Sequence, residues 1–141
     1  MANNQVEYDY DYKGDSLFVY CVDSYEYDVS LELDNDVILD LDVDGRPVAF
    51  EFLNASKIFK LDKAYFKNLI GINIQSKITV DAINLNVRLT ALIHSKNQSF
   101  DVNRITGNLN NLPVMESVLV SAWHLHQPKY FFLFYSLFYF N

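Results

Sequence analysis

Apolar and polar positions alternate with a period of two along most of this chain, and the alternation breaks where Gly, Pro, Asp and Asn gather. A period of two marks strands with one face in a core, and the breaking residues carry the chemistry of turns. Val6-Glu-Tyr-Asp-Tyr-Asp-Tyr12 alternates, Lys13-Gly14-Asp15 interrupts it, and Leu17-Phe-Val-Tyr-Cys-Val22 follows. Two strands about a turn are predicted, the second apolar on both sides and so interior to a sheet or covered twice. Asp23-Ser24 is the next turn signal.

Two further hairpins follow from register, because the core residues of a strand must fall on one face after pairing. A three-residue loop at Asp34-Asn35-Asp36 sets Leu33 opposite Val37, Leu31 opposite Leu39, Val29 opposite Leu41 and Tyr27 opposite Val43. A four-residue loop from Asp44 to Pro47 sets Val43 opposite Val48, Leu41 opposite Phe50 and Leu39 opposite Phe52, all on that same side. Asp44-Gly45 supplies the turn, and Pro47, which lacks an N–H, belongs outside the regular ladder. The period then changes. Asp62 is an N-cap for a short helix through Leu69, with Gly71 as its stop and Ala64, Tyr65 and Leu69 facing the sheet. Beyond Ile72, Ile74, Ile78 and Val80, the run Ile83 to Ile93 has apolar odd positions and mostly polar even ones, a half-buried strand. Ser95 to Gln98 turns into a partner strand around Phe100 and Val102, and Gly107 to Pro113 reads as loop.

These elements predict an α+β fold, predominantly antiparallel β: a meander of hairpins with one short helix packed on the sheet. Residues 1–113 are expected to form a single mostly-β domain and residues 114–141 an atypical apolar C-terminal tail. Tyr130 to Phe140 is an uncharged aromatic run, too short for a membrane-spanning helix of about 20 residues, so no membrane span is expected. Such a run aggregates unless it pairs with a sheet edge or a partner, which makes self-association through an edge or the tail an expectation. A docked strand, a sticky interaction tail and a shifted reading frame after about Ala122 all explain it.

Charge sharpens the picture. The net charge is −7, but residues 1–60 hold fourteen Asp and Glu against four Lys and Arg, a balance of −10, while the remainder has four against seven, +3. An acidic first half repels phosphate backbones, which argues against nucleic acid, and attracts a basic protein surface. The single cysteine, Cys21, permits no internal disulfide, and the first residues lack the basic and apolar features of a secretory signal; a cytoplasmic setting is expected.

Candidate chemistry is sparse. The pairings above put Asp40 opposite Glu51 and Ser30, and Asp42 opposite Asp28 and Ala49, a carboxylate cluster that is hydrated, binds a cation or awaits a basic partner. Asp40, Asp42, Asp44-Gly45 and Glu51 match the linear pattern of a calcium loop, but on strand-turn-strand, where alternation fixes Asp40 and Asp42 in an extended geometry that a coiled loop cannot use. His94, His124 and His126 lack a third convergent ligand and read as surface residues; Cys21, in an apolar run, reads as core. Four isolated glycines build no phosphate loop, so no cofactor is expected. Tyr8, Tyr10 and Tyr12 read as strand packing, since the acids between them oppose base stacking.

Tyr10-Asp11, Asp15-Ser-Leu-Phe-Val19, Val37-Ile-Leu-Asp40 and Asp42-Val-Asp-Gly-Arg-Pro-Val-Ala-Phe-Glu-Phe-Leu-Asn-Ala-Ser56 together resemble the prokaryotic domain of unknown function 2283 family over roughly Tyr8 to Phe59, with the rest similar to its longer archaeal versions. Members usually carry Gly where this chain has Ala49. The resemblance implies a compact β-rich fold and transfers no catalytic residue. Genes of this kind often neighbour small toxin-like proteins, which implies an antitoxin-like role toward a basic toxin. The expectation is thus a non-enzymatic protein-interaction module whose face of Asp28, Asp40, Asp42 and Glu51 meets a small basic protein. The alternative is a cation- or small-ligand-binding domain using Asp40, Asp42, Asp44 and Glu51.

Overall fold

The computed structural model describes residues 2–121, with side chains from Asn4 onward. Nine strands run in chain order as β1 (Ala2–Asp11), β2 (Ser16–Cys21), β3 (Tyr27–Asp34), β4 (Val37–Asp42), β5 (Pro47–Leu53), β6 (Leu69–Ile78), β7 (Ala82–Ile93), β8 (Lys96–Gly107) and β9 (Met115–Ser121). They form one sheet in the order β3-β4-β5-β2-β1-β9-β6-β7-β8. Every neighbouring pair is antiparallel except β1 and β9, whose parallel seam joins a first antiparallel unit to a second. The sheet curls until its edge strands approach, and Arg104 of β8 reaches Asp34 of β3 at 3.4 Å.

The expected strands form, and the fold is mostly antiparallel sheet. Alternation fixes which side is core: Leu17, Val19 and Cys21 point inward from β2, Leu39 and Leu41 from β4, Phe50 and Phe52 from β5, and Leu85, Val87 and Leu89 from β7. An aromatic chain runs through the interior, with Phe52 against Phe59, Phe59 against Phe66, and Phe66 stacked on Tyr10 at 4.8 Å. Phe59 and Phe66 come from the two short helical elements. These are α1 (Ala55–Phe59) and a 3-10 helix (Lys63–Asn68), so the α component is smaller than an α+β label suggests.

The helix prediction is corrected in detail. Asp62 does cap the second element, accepting from the Ala64 N–H at 2.9 Å, but the turn is 3-10, and Phe66 rather than Ala64 is its buried residue. Leu69 ends it by becoming extended, and Gly71 lies inside β6. Phe66 lies four residues after Asp62, and the 3-10 winding of about three residues per turn, tighter than that of an α-helix, changes which side chain of the segment meets the core.

The hairpin registers keep Leu33, Leu39, Leu41, Phe50 and Phe52 on the core side by a different route, whereas Tyr27, Val29 and Val43, expected on that face, are exposed. In β3 and β4, Leu31 faces Leu39 and Val29 faces Leu41 as expected, but Asp34 pairs with Val37 and bulges flank the regular stretch. Between β4 and β5 the predicted pairs are displaced by two residues: Leu39 faces Phe50 and Val37 faces Phe52. The turn is a three-residue loop in which the Asp42 N–H donates to the Arg46 carbonyl at 3.0 Å and the Asp42 carboxylate accepts the N–H groups of Asp44 and Arg46, each at 2.9 Å. That closure alone would turn Phe50 and Phe52 outward, and a bulge between Asp40 and Leu41 restores the face. Gly45 sits at φ +77°, where a side chain is strained, and an added Cβ would meet Pro113 at 3.3 Å.

The expected tail boundary at residue 114 also moves. Met115–Ser121 is β9 in the middle of the sheet, with Leu119 fully buried between β1 and β6. Its alternation is short and ends close before the aromatic run of Tyr130 to Phe140, which hides the strand in the sequence. The rest of that tail, with His124 and His126, lies outside the described residues.

Candidate acidic face

Two residue networks define the first unit, one inside the curl and one on its outer surface. The inner one centres on Asp15, only 7% exposed and held at φ 53°. Its carboxylate accepts from the Tyr10 hydroxyl at 2.7 Å, the Ser56 hydroxyl at 2.6 Å and the Ser56 N–H at 3.0 Å, and its carbonyl accepts the Ala55 N–H. Asp15 therefore caps α1 from a distant loop, a task that Asn54, in the left-handed region, leaves undone. Burial pushes its carboxyl up, but the hydrogen bonds from Ser56 and Tyr10 with the charge of Lys63 hold it below the usual range.

On the outer surface, cross-strand register writes two rows. Asp9, Phe18, Glu51, Ile38 and Glu32 form one across β1-β2-β5-β4-β3; Glu7, Tyr20, Ala49, Asp40 and Ser30 form the next. Facing residues in such rows share a side of the sheet, with strands about 4.8 Å apart. In the first row carboxylates and apolar groups alternate one for one. Phe18 and Tyr20 are half-buried and stack at 5.3 Å with an interplanar angle of 24°. Burial, then the charges of Asp9 and Glu7, raises the Tyr20 pKa; burial, then Asp40, raises that of Tyr25 beside it. Among the described residues no ion pair reaches Glu7, Asp9, Asp40 or Glu51.

The predicted site residues are therefore redistributed. Asp40 does face Ser30, which donates to it at 2.6 Å, but on its other side it faces Ala49, and Glu51 faces Ile38 and Phe18. Asp42 is committed to the turn, and Asp28 falls at the bulge rather than opposite Asp42. Asp40, Asp42, Asp44 and Glu51 are not gathered, and no group of three or more His, Cys, Asp or Glu placed for a metal occurs among the described residues. His94 occupies the β7–β8 turn at φ 52° with Ser95 at φ 65°. Cys21 is buried, its thiol pushed up to about 11 by burial and then by Asp23 and Asp42. Tyr8 and Tyr10 face the interior, where Tyr8 accepts the Leu69 N–H and burial raises its hydroxyl to about 12. Tyr12 is exposed, with Lys67 at 4.7 Å and Lys63 at 5.4 Å from its ring. Glu7, Asp9, Phe18 and Tyr20 were missed as one surface, although the alternation of β1 already places Glu7 and Asp9 outward.

Comparison with known proteins now fits this geometry. A family model described as a protein of unknown function, DUF2283, matches residues 7–56. An uncharacterized protein of Methanocaldococcus jannaschii is 43% identical over 93 residues, covering 65% of this chain and 78% of that protein. The chain belongs to the DUF2283 family. A Methanosarcina mazei protein carrying the provisional name hypoxanthine phosphoribosyltransferase is 31% identical over 110 residues, 77% of this chain and 86% of that protein. No solved structure matches. The DUF2283 match begins at Glu7 and ends at Ser56, so it encloses Tyr10, Asp15 and Ser56, the parts of the inner network. Both alignments are longer than that match. Among the described residues no helix is long and apolar enough to cross a membrane.

Proposed function

We infer that this DUF2283 protein is a non-enzymatic, cytoplasmic interaction module whose outer face over β3-β4-β5-β2-β1 binds a basic protein, with an antitoxin-like pairing as its most specific form. The observation that carries this reading is the set of carboxylates at Glu7, Asp9, Asp40 and Glu51, presented on rigid strands without a cationic neighbour in ion-pair range among the described residues. Unpaired charge on a regular sheet steers association and selects the sign of a partner. The same face attracts cations and offers no anion cradle, so it lends nothing to the phosphoribosyl transfer named for the Methanosarcina relative.

The test is recovery of the tagged protein with its partner from native cells. A basic protein bound at about 0.15 M salt and released near 1 M, and lost from the double variant Asp9→Lys/Glu51→Lys, is the expected result. A partner indifferent to both salt and charge reversal would falsify the reading.

A further inference from the structure

We propose that the row Asp9-Phe18-Glu51, with Tyr20 beside it, is a seat for an arginine side chain of the basic partner. This rests on the acidic-face reading and names the chemistry of its central contact. Phe18 has a carboxylate directly across on each side, Asp9 from β1 and Glu51 from β5. With Tyr20 it forms a stacked pair of rings, 5.3 Å apart at an interplanar angle of 24°, on the outer surface of the sheet. A guanidinium is planar and stacks on aromatic faces, and its fork of donors reaches carboxylates at its edges. A lysine ammonium is a compact, strongly hydrated charge, which gains less from a ring and cannot engage two flanking carboxylates through one plane.

The surroundings are built for such a residue. Ala49 lies next to Tyr20 in the second row and is fully buried, so the small side chain leaves the rings seated close to the backbone. The neighbouring Ile38 continues the apolar stripe beside Glu51 and would cover the aliphatic stem of an incoming side chain. Burial, and after it the negative field of Asp9 and Glu7 that a guanidinium would also feel, raises the hydroxyl pKa of Tyr20. The protein also shows this chemistry elsewhere, where the ammonium groups of Lys63 and Lys67 lie over the ring of Tyr12. At Phe18 and Tyr20 the rings and acids are present and the cation is left to a partner.

The experiment measures binding of two synthetic probes, an arginine-rich and a lysine-rich dodecapeptide of equal charge and spacing, to the full chain by titration calorimetry. The arginine peptide is expected to bind about fivefold tighter or more. The double variant Phe18→Leu/Tyr20→Leu keeps apolar bulk and removes the π faces, and should abolish that preference. Glu51→Gln should weaken both peptides. Equal affinity for the two peptides, or a preference that survives Phe18→Leu/Tyr20→Leu in a protein whose circular dichroism is unchanged, overturns the arginine seat. If equal affinity comes with strong salt dependence, the acidic-face reading stands alone; if neither peptide binds, both fall.

Discussion

The two units of the sheet solve the same surface problem in opposite ways. On the outer face of β9-β6-β7-β8, charge is met within the molecule. Arg88 holds Asp101 through paired bonds at 2.7 and 2.9 Å, Lys77 approaches Glu116 at 3.8 Å, and Asn103 donates to Asn84 and Asn86. On the outer face of β3-β4-β5-β2-β1, Glu7, Asp9, Asp40 and Glu51 meet no such cation among the described residues. The DUF2283 match covers that first unit and stops at Ser56, short of the second. A strand surface with both signs of charge is complete as it stands, whereas one with a single sign is completed from outside. On the function proposed above, the first unit is the binding half and the second the half that supports it.

The comparison depends on the first unit holding its register, and the largest effect is expected at Asp15. Asp15→Ala leaves the Tyr10 hydroxyl and the Ser56 N–H and hydroxyl without their acceptor, and it puts Ala at a positive φ that Asp tolerates better. A loss of about 3–5 kcal/mol is expected, a fall in Tm of about 10 °C or more. The folded carboxyl titrates below its ordinary 3.8, so its contribution is complete above that value and is lost as pH falls through the lowered one. Denaturant midpoints of wild type and variant should thus converge as the pH is taken from 7 toward about 3. A gap that stays constant would show that the charge on Asp15 is not what closes the network.

The second unit has an uncharged counterpart. Asn108, 7% exposed, donates to the carbonyls of Thr79 and Leu112 and accepts the Leu112 N–H, tying the β6–β7 turn to the loop before β9. Asn108→Ala should cost about 2–3 kcal/mol, because three part-buried backbone groups lose a partner. Unlike the loss at Asp15, it should not change between pH 7 and about 3, since Asn does not titrate. A pH-dependent gap here would break the distinction between a charged closure in one unit and a neutral one in the other.

How much of this the sequence discloses depends on whether the signal is local. The alternation in Ile83 to Ile93 carries β7, and Phe100 and Val102 carry its partner, because those faces are decided by neighbours two residues apart. The parity of Leu31, Leu39 and Phe50 is legible for the same reason. The displaced pairing of β4 with β5 is not, because it depends on a three-residue turn that Asp42 closes and on a bulge that compensates. The row from Asp9 to Glu51 is hidden more deeply. It needs β1, β2 and β5 side by side, and β5 reaches β2 only across the intervening β3–β4 hairpin. Asp15 reads as a turn residue in sequence, since its partner Ser56 is forty-one positions away.

The smallest expected effect tests whether unpaired charge alone makes a binding face. Arg88→Gln releases Asp101, whose carboxyl the Arg88 hydrogen bonds now hold below its usual range. Both groups are largely exposed, so the change in Tm should be slight. The second unit would then present a free carboxylate like the first, but in a row of Asn73, residue 88 and Asp101 that contains no aromatic ring. The affinity for the arginine-rich peptide should rise by about twofold at most. A gain as large as the loss caused by Glu51→Gln would mean that a single exposed carboxylate accounts for the attraction, leaving Phe18 and Tyr20 without a part in it. A negligible gain would place the difference between the two units in the pairing of acid with aromatic surface, which the first unit's register creates and the second unit's does not.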